Sequence, residues 1–184
     1  MRPQKDIDQR HGRARLARAG GHHDQRFALF PDFNSLGNAA HGFDLIEWTF
    51  DPLEIKNAFL NLRKLGAIAR RYNINQYGVF TSPLQGGLPT DRLVAEWWLR
   101  SRRVESLLKN GSYGSFKVEK TVEVPGLIYY WKASPEHRAK AAEVQARNRE
   151  EFLEAFSRGL TCMGFERDEQ GNGKFLLGRW DEPF

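Results

Sequence analysis

Two carboxylates stand out because their neighbours are apolar: Glu47 within "LIEWTF" and Glu96 within "RLVAEWWL". Burial raises the pKa of a carboxylate, and a raised carboxylate can take a proton from an amine nucleophile. Asp91 and Arg92 follow the Gly/Pro-rich "TSPLQGGLPT" at the mouth of a strand, where charged residues either face substrate or form an internal ion pair. The guanidinium of Arg92 suits a carboxylate, held by two parallel hydrogen bonds. Asn57 and Asn61 lie one turn apart in "DPLEIKNAFLNLRKLGA". Asparagine is a poor helix former, so the pair points to a ligand or to a solvated helix face. No metal is expected, because His22, His23 and Asp24 are adjacent and no further ligand follows at useful spacing. Cys162, beside Met163, has no histidine near it and reads as core rather than nucleophile.

At 184 residues the chain can form one ordinary domain with a real core. Cys162 is the only cysteine, which excludes an intrachain disulfide and a cysteine-based zinc cluster and fits a reducing cytoplasm. No apolar run approaches the roughly 20 residues of a membrane span, and the basic N-terminus lacks the apolar stretch of a secretory signal. A cytoplasmic protein without membrane contact is therefore expected. The formal charge is +5, but residues 1–26 hold seven Arg or Lys and three Asp, a net of +4, which leaves +1 for the rest. A body with no positive excess cannot follow a phosphate backbone, and this argues against a nucleic-acid partner. Trp48, Trp97, Trp98 and Trp131 belong to strand faces and read as core, not as a platform for bases.

The elements that must position these residues read as follows. "FDLIEWTF" (43–50) is apolar on both faces, as an interior strand is. Asp51 can cap a following helix with Pro52 at its first position; Ile55, Ala58, Phe59, Leu62 and Leu65 form its buried face over 53–65, and Gly66 ends it. Residues 67–80 read as a strand broken near Gly78, 92–99 as another, and 101–111 as a short helix stopped by Asn-Gly. "SFKVEKTVEVP" alternates as a half-buried strand does, and "LIYYWKA" (127–133) extends or repeats it. The longest helix runs over 136–158, with Ala141, Val144, Asn148, Phe152, Ala155 and Phe156 as its stripe and Gly159 as its stop. "LTCMGFERD" and "KFLLGRW", joined by "EQGNG", make a hairpin. Residues 1–41 are basic and irregular, with room in "RARLARA" for a turn or two of helix. The class is α/β (α+β), a mixed sheet flanked by helices: 1–41 irregular, 42–111 the main unit, and 112–184 an extension of strand, long helix and hairpin.

Taken together, WTFDPL, NAFLN with KLGA, and LPTDRLVAEW resemble a subgroup of predicted acetyltransferases in the GNAT superfamily of acyl-CoA N-acyltransferases. The resemblance covers residues 42 to about 180. It implies a partial GNAT-like sheet in which acyl-CoA enters a gap between two splayed parallel strands, the second being 43–50. Backbone groups there polarise the thioester carbonyl. The helix over 53–65 would pack beside the pantetheine arm. It follows from the resemblance that Trp48, Thr49, Asp51, Asn57 and Asn61 line the cofactor side. Asp91 and Arg92, borne on a loop, are the substrate-binding candidates, with Arg92 gripping a carboxylate of the acceptor or of a dicarboxylic acyl group such as succinyl, or the two forming an internal ion pair. The alternative reading makes Asp51 no more than a helix cap and the asparagines no more than solvated positions.

Two departures from the family matter. Aligning "LRKLGA" with the usual Y-x-x-x-G-[F/A] ending puts Leu62 where the thiolate-protonating tyrosine sits, so the chemistry needs another donor, Tyr72 or Tyr77, or none at all, with Glu47 as the candidate base. The N-terminal half with its pyrophosphate loop is also not matched. "QRHGRA" fits Q-x-x-G-x-A only formally, and residues 1–41 read as another frame, or a mis-assigned start, joined to a GNAT C-terminal part. The expected function is transfer of an acyl group from acetyl-CoA or another acyl-CoA to a primary amine of a small molecule or amino acid. The alternative is a truncated, inactive relative that serves as a structural or interaction module. The sheet edge left by the missing half would then pair with a second copy as a homodimer.

Overall fold

The computed structural model describes residues 6–8, 13–15, 43–78 and 86–181. Among these residues eight strands form one sheet in the order β1-β2-β3-β5-β4-β7-β8-β6. They are β1 (Asp6–Asp8), β2 (Arg13–Arg15), β3 (Leu45–Phe50), β4 (Ile68–Asn73), β5 (Arg92–Trp98), β6 (Lys120–Val124), β7 (Leu160–Arg167) and β8 (Gly173–Arg179). From β3 onward every neighbouring pair is antiparallel, while β2 runs parallel to β3. Among the described residues four helices accompany them: α1 (Ile55–Ala58, continued by the π-helical Phe59–Lys64), α2 (Arg102–Asn110), α3 (Ile128–Ala133) and α4 (Arg138–Ser157). The α+β class expected from the sequence is the class observed.

The register of β3 on β5 decides which side chains share a face. Glu47 lies opposite Glu96 and Thr49 opposite Val94, so these point one way. Phe50, Leu93, Ala95 and Trp97 point the other way, into the core. Phe152 of α4 is the hub of that core: it stacks on Tyr72 at 5.8 Å and meets Phe175 edge-on at 5.1 Å, and Phe175 meets Phe165 at 4.7 Å. One apolar cluster thus spans both the 43–111 unit and the extension. The backbone connection between them is slight, since β4 and β7 share a single bridge, Ala69 opposite Cys162. Cys162 is fully buried, as its apolar neighbours require.

Local chemistry sets the boundaries. Ser101 caps α2 by accepting a hydrogen bond from Val104 N, and Gly111 closes it in the left-handed region at φ 68°. Arg103, buried, donates to the carbonyls of Gly66, Leu62 and Met163, satisfying the C-terminal end of α1 from outside. The stripe expected for α4 is buried apart from the half-buried Phe156, with Gln145 added.

Several expectations need correction. "LIYYWKA" is helical, not strand. Pro125 ends β6 and its carbonyl accepts Ile128 N, after which Ile128 and Lys132, four apart, turn inward while Leu127, Tyr129 and Tyr130 stay outside. Aromatic β-propensity was overridden by a period of helical length. α1 starts at Ile55, because Asp51 closes a turn first: its Oδ1 accepts Leu53 N at 2.8 Å and its carbonyl accepts Glu54 N at 3.1 Å. β4 stops at Asn73, where a turn with Asn75 at φ 46° begins. Residues 13–15 are strand rather than helix, and their pairing with Leu45–Glu47 covers half of the edge of β3 on which dimerisation was expected. The His22–His23–Asp24 group, residues 9–12 of "QRHGRA" and residues 81–85 of the 81–91 loop lie outside the described residues.

Candidate functional site at the ends of three strands

Glu47 and Glu96 are 4% and 2% exposed and directly opposite on neighbouring strands, where like charges repel. Two arginines offset this. Arg71 bridges the pair, with Nη2 on Glu47 Oε1 and Nε 3.2 Å from Glu96 Oε1, and Arg70 Nη2 lies 2.5 Å from Glu96 Oε2. Consecutive strand residues normally point to opposite faces. Here β4 carries a bulge between Ala69 and Arg71, so both guanidiniums reach the same carboxylate. Trp98 Nε1 donates to Glu96 as well, at 3.3 Å. Glu47, the expected base, is one corner of this charge quartet.

Asp91 is fully buried and receives four donors: Tyr72 OH at 2.8 Å, Arg149 Nε at 2.9 Å, Arg149 Nη2 at 3.2 Å and Asn75 N at 3.0 Å. Beside it Thr90 accepts Tyr77 N, donates to the Gly78 carbonyl, and has its own N–H held by Asn75 Oδ1. "YNINQYG" and "LPTDR" therefore clasp each other, and the clasp sets where Tyr77 stands. Burial first, then the hydrogen bond to Asp91 and its charge, push the Tyr72 phenol well above the ordinary tyrosine value. Such a phenol is a poor proton donor and a good anchor.

The raised phenol has a consequence in alkali. The unfolded chain ionises Tyr72 near pH 10 while the folded chain holds it neutral, so its contribution is complete below about pH 10 and declines above. Tyr129, raised by burial and then by Glu54, and Lys132 act in the same direction. Stability should therefore fall above pH 10, with a slope from Tyr72 approaching about 1.4 kcal/mol per pH unit, to which Lys132 and, screened by solvent, the part-exposed Tyr129 add slopes of their own. Tyr72→Phe should remove one of these slopes. Equal slopes for both proteins in denaturant titrations between pH 9 and 11 would refute it.

At the end of β3, Asp51 and Glu54 share Lys132, whose Nζ is 3.2 Å from Asp51 Oδ2 and 2.9 Å from Glu54 Oε1. Burial of this ammonium lowers its pKa, but the two carboxylates more than offset that and hold it above its ordinary value. Arg92 Nη1 comes within 4.0 Å of Asp51 Oδ2 and donates to the Asp91 carbonyl at 2.7 Å. Its guanidinium lies 5.6 Å from the Tyr77 ring centroid, and Tyr77 OH is 3.0 Å from Thr49 Oγ1. Thr49, Asp51, Tyr77, Asp91 and Arg92 therefore gather at one end of the sheet, with Tyr77 at the surface.

The remaining expected residues are more dispersed. Trp48 points to the face opposite Thr49 and sits edge-on to Trp97 at 6.4 Å, so the two cannot line one surface. Asn57 is half-buried near the start of α1 and Asn61 is buried in its π-helical part. Leu62 is fully buried. Lys132, Arg149, Arg71 and Thr90 were missed. Two adjacent arginines in the strand text "ARRYN", and a lysine at helical spacing from Ile128, were the available signals. Among the described residues no group of His, Cys, Asp or Glu could hold a metal ion, and no helix is long and apolar enough to cross a membrane. Comparison with models of protein families, with curated proteins and with solved structures gave no match.

Proposed function

We propose that this chain is a GNAT-type N-acyltransferase that moves an acyl group from acetyl-CoA or another acyl-CoA to a primary amine of a small molecule or amino acid. One observation carries the reading. The strand whose sequence resembles the family's cofactor-side strand leads through the 51–54 turn into α1, and beside that junction Tyr77 OH stands 3.0 Å from Thr49 Oγ1. In the reaction a neutral amine nitrogen attacks the thioester carbonyl, the C–S bond breaks, the departing thiolate takes the Tyr77 proton, and the proton shed by the nitrogen passes through solvent to restore the exposed phenol. Tyr77 replaces the family tyrosine displaced by Leu62. Tyr72 and Glu47 serve as anchors through Asp91 and Arg71. Thr49 and Asp51 border the cofactor side, and Arg92 the acceptor side.

Calorimetric titration of the whole chain with acetyl-CoA tests the first half, and binding in the micromolar range is expected. Tyr77→Phe tests the second. It should retain that affinity while turnover falls by about a hundredfold or more. A folded, monodisperse sample that takes up no acyl-CoA would sink the proposal. The reading as a non-catalytic module would then stand, favoured by the internal partners that Glu47, Glu96, Asp91 and Tyr72 already have.

A further inference from the structure

We infer that Lys132, from the extension beyond residue 111, is a positioning residue for the acyl-CoA side of the site; the functional part of this inference rests on the acyltransferase reading above. Lys132 is 4% exposed and occupies the junction where β3 becomes α1. Its Nζ bonds Asp51 Oδ2 and Glu54 Oε1, while Asp51 Oδ1 holds Leu53 N at 2.8 Å. One carboxylate thus links the ammonium to the backbone turn that aims α1. From the same short helix Tyr129 OH accepts Lys56 N at 3.4 Å, a second tie to the first turn of α1. On its other side the Lys132 carbonyl presses on Gly86, where a Cβ would come within 2.5 Å. The lysine is therefore fixed between the 51–54 turn and the loop that leads to Asp91 and Arg92.

The electrostatics suit a positioning role. A buried ion pair adds little net stability compared with well-packed apolar residues, but it has a defined geometry that apolar contacts lack. Asp51 and Glu54 carry two negative charges, and Lys132 and the nearby Arg92 supply two positive ones, so the junction is neutral with both guanidinium and ammonium present. Without Lys132, Asp51 would be drawn toward Arg92, away from the orientation in which its other oxygen holds Leu53 N. The start of α1 and the end of β3, with Thr49 and its Tyr77 contact, would lose their fixed relation.

The experiment compares the wild-type chain with Lys132→Met, Lys132→Arg and Glu54→Gln, after circular dichroism has established which are folded. Hydrogen exchange is read on peptides spanning 51–56, and acetyl-CoA affinity by calorimetry. In Lys132→Met, exchange at 51–56 should rise by about tenfold or more while β5 and β8 stay protected. Affinity for acetyl-CoA should fall by about tenfold or more, and Lys132→Arg should restore most of both. Should Lys132→Met not fold, Glu54→Gln is expected to give the same local change at smaller amplitude. Unchanged exchange at 51–56 in the folded variants overturns the inference, as does faster exchange with full acetyl-CoA affinity. If the wild-type chain itself binds no acetyl-CoA, the acyltransferase reading and the functional part of this inference both fall. Exchange at 51–56 then decides the structural part alone.

Discussion

Asp91→Ala is expected to destabilise the fold by about 3 to 5 kcal/mol, the range for removing one partner of a buried charged network. The substitution takes away both acceptor oxygens from Tyr72 OH, Asn75 N and two nitrogens of Arg149. Tyr72 and Asn75 have no alternative acceptor in this network, whereas Arg149 is 28% exposed and can turn toward water, which places the loss toward the lower end. Asp91→Asn should recover part of it, because an amide oxygen still accepts from the phenol or the backbone. Urea denaturation followed by fluorescence checks both variants. A cost below about 1 kcal/mol for Asp91→Ala would mean that the network contributes only a net-neutral exchange of hydrogen bonds with water.

Gly86→Ala is the second change with a large expected effect. Gly86 has φ 60°, and a methyl group there would sit 2.5 Å from the Lys132 carbonyl oxygen, 3.2 Å from its carbonyl carbon and 3.2 Å from its Cα. All three are backbone atoms of α3, so no rotamer change relieves the contact. Overpacking of this kind together with the left-handed backbone should cost about 3 kcal/mol or more. Gly87→Ala is the control: φ is 73°, but the nearest atom is the flexible Arg138 Nη1 at 3.7 Å. It carries only the conformational term, about 1 kcal/mol. Equal midpoints for the two variants in thermal melts would show that the 86–91 loop yields as a whole and that its approach to α3 is not fixed.

How legible these features were in the sequence depended on whether the signal was local. The β3–α1 unit, α2 with its Ser101 cap and Gly111 stop, α4 and the terminal hairpin all follow from periodicity and punctuation within a few residues. The clasp between "YNINQYG" and "LPTDR" was visible only as two turn-rich texts, since their partnership depends on β4 and β5 being neighbours. Glu47 and Glu96 could be expected to be covered. That they face each other is a matter of register, and that Arg70 and Arg71 both reach them is a matter of a bulge. Lys132 and Arg149 were hidden for another reason. A charged residue on a helix is most often solvated, and nothing within either helix reveals a buried acid waiting on a distant strand. The α3 segment was misread because Ile128, Tyr129, Tyr130 and Trp131 carry strand propensity, and only burial of the fourth residue after Ile128 marks it as helix.

The single bridge between β4 and β7 has a consequence for how such a chain can change over generations. Two ribbons, β3-β5-β4 and β7-β8-β6, each knit by five or more paired residues per neighbour, meet at one pair. What crosses between them is apolar packing and a few long side chains: Lys132 to Asp51, Arg149 to Asp91, and Gln145 to the Pro89 carbonyl. Within each ribbon the backbone ladder tolerates exchange of one residue at a time. Across the seam it does not, because loss of Asp51 leaves the buried Lys132 with Glu54 alone and loss of Asp91 turns Arg149 out to water, each cation being contributed from more than fifty positions away. Descendants of this sequence should therefore alter 51 with 132, and 91 with 149, as heritable pairs, while the residues between them drift independently.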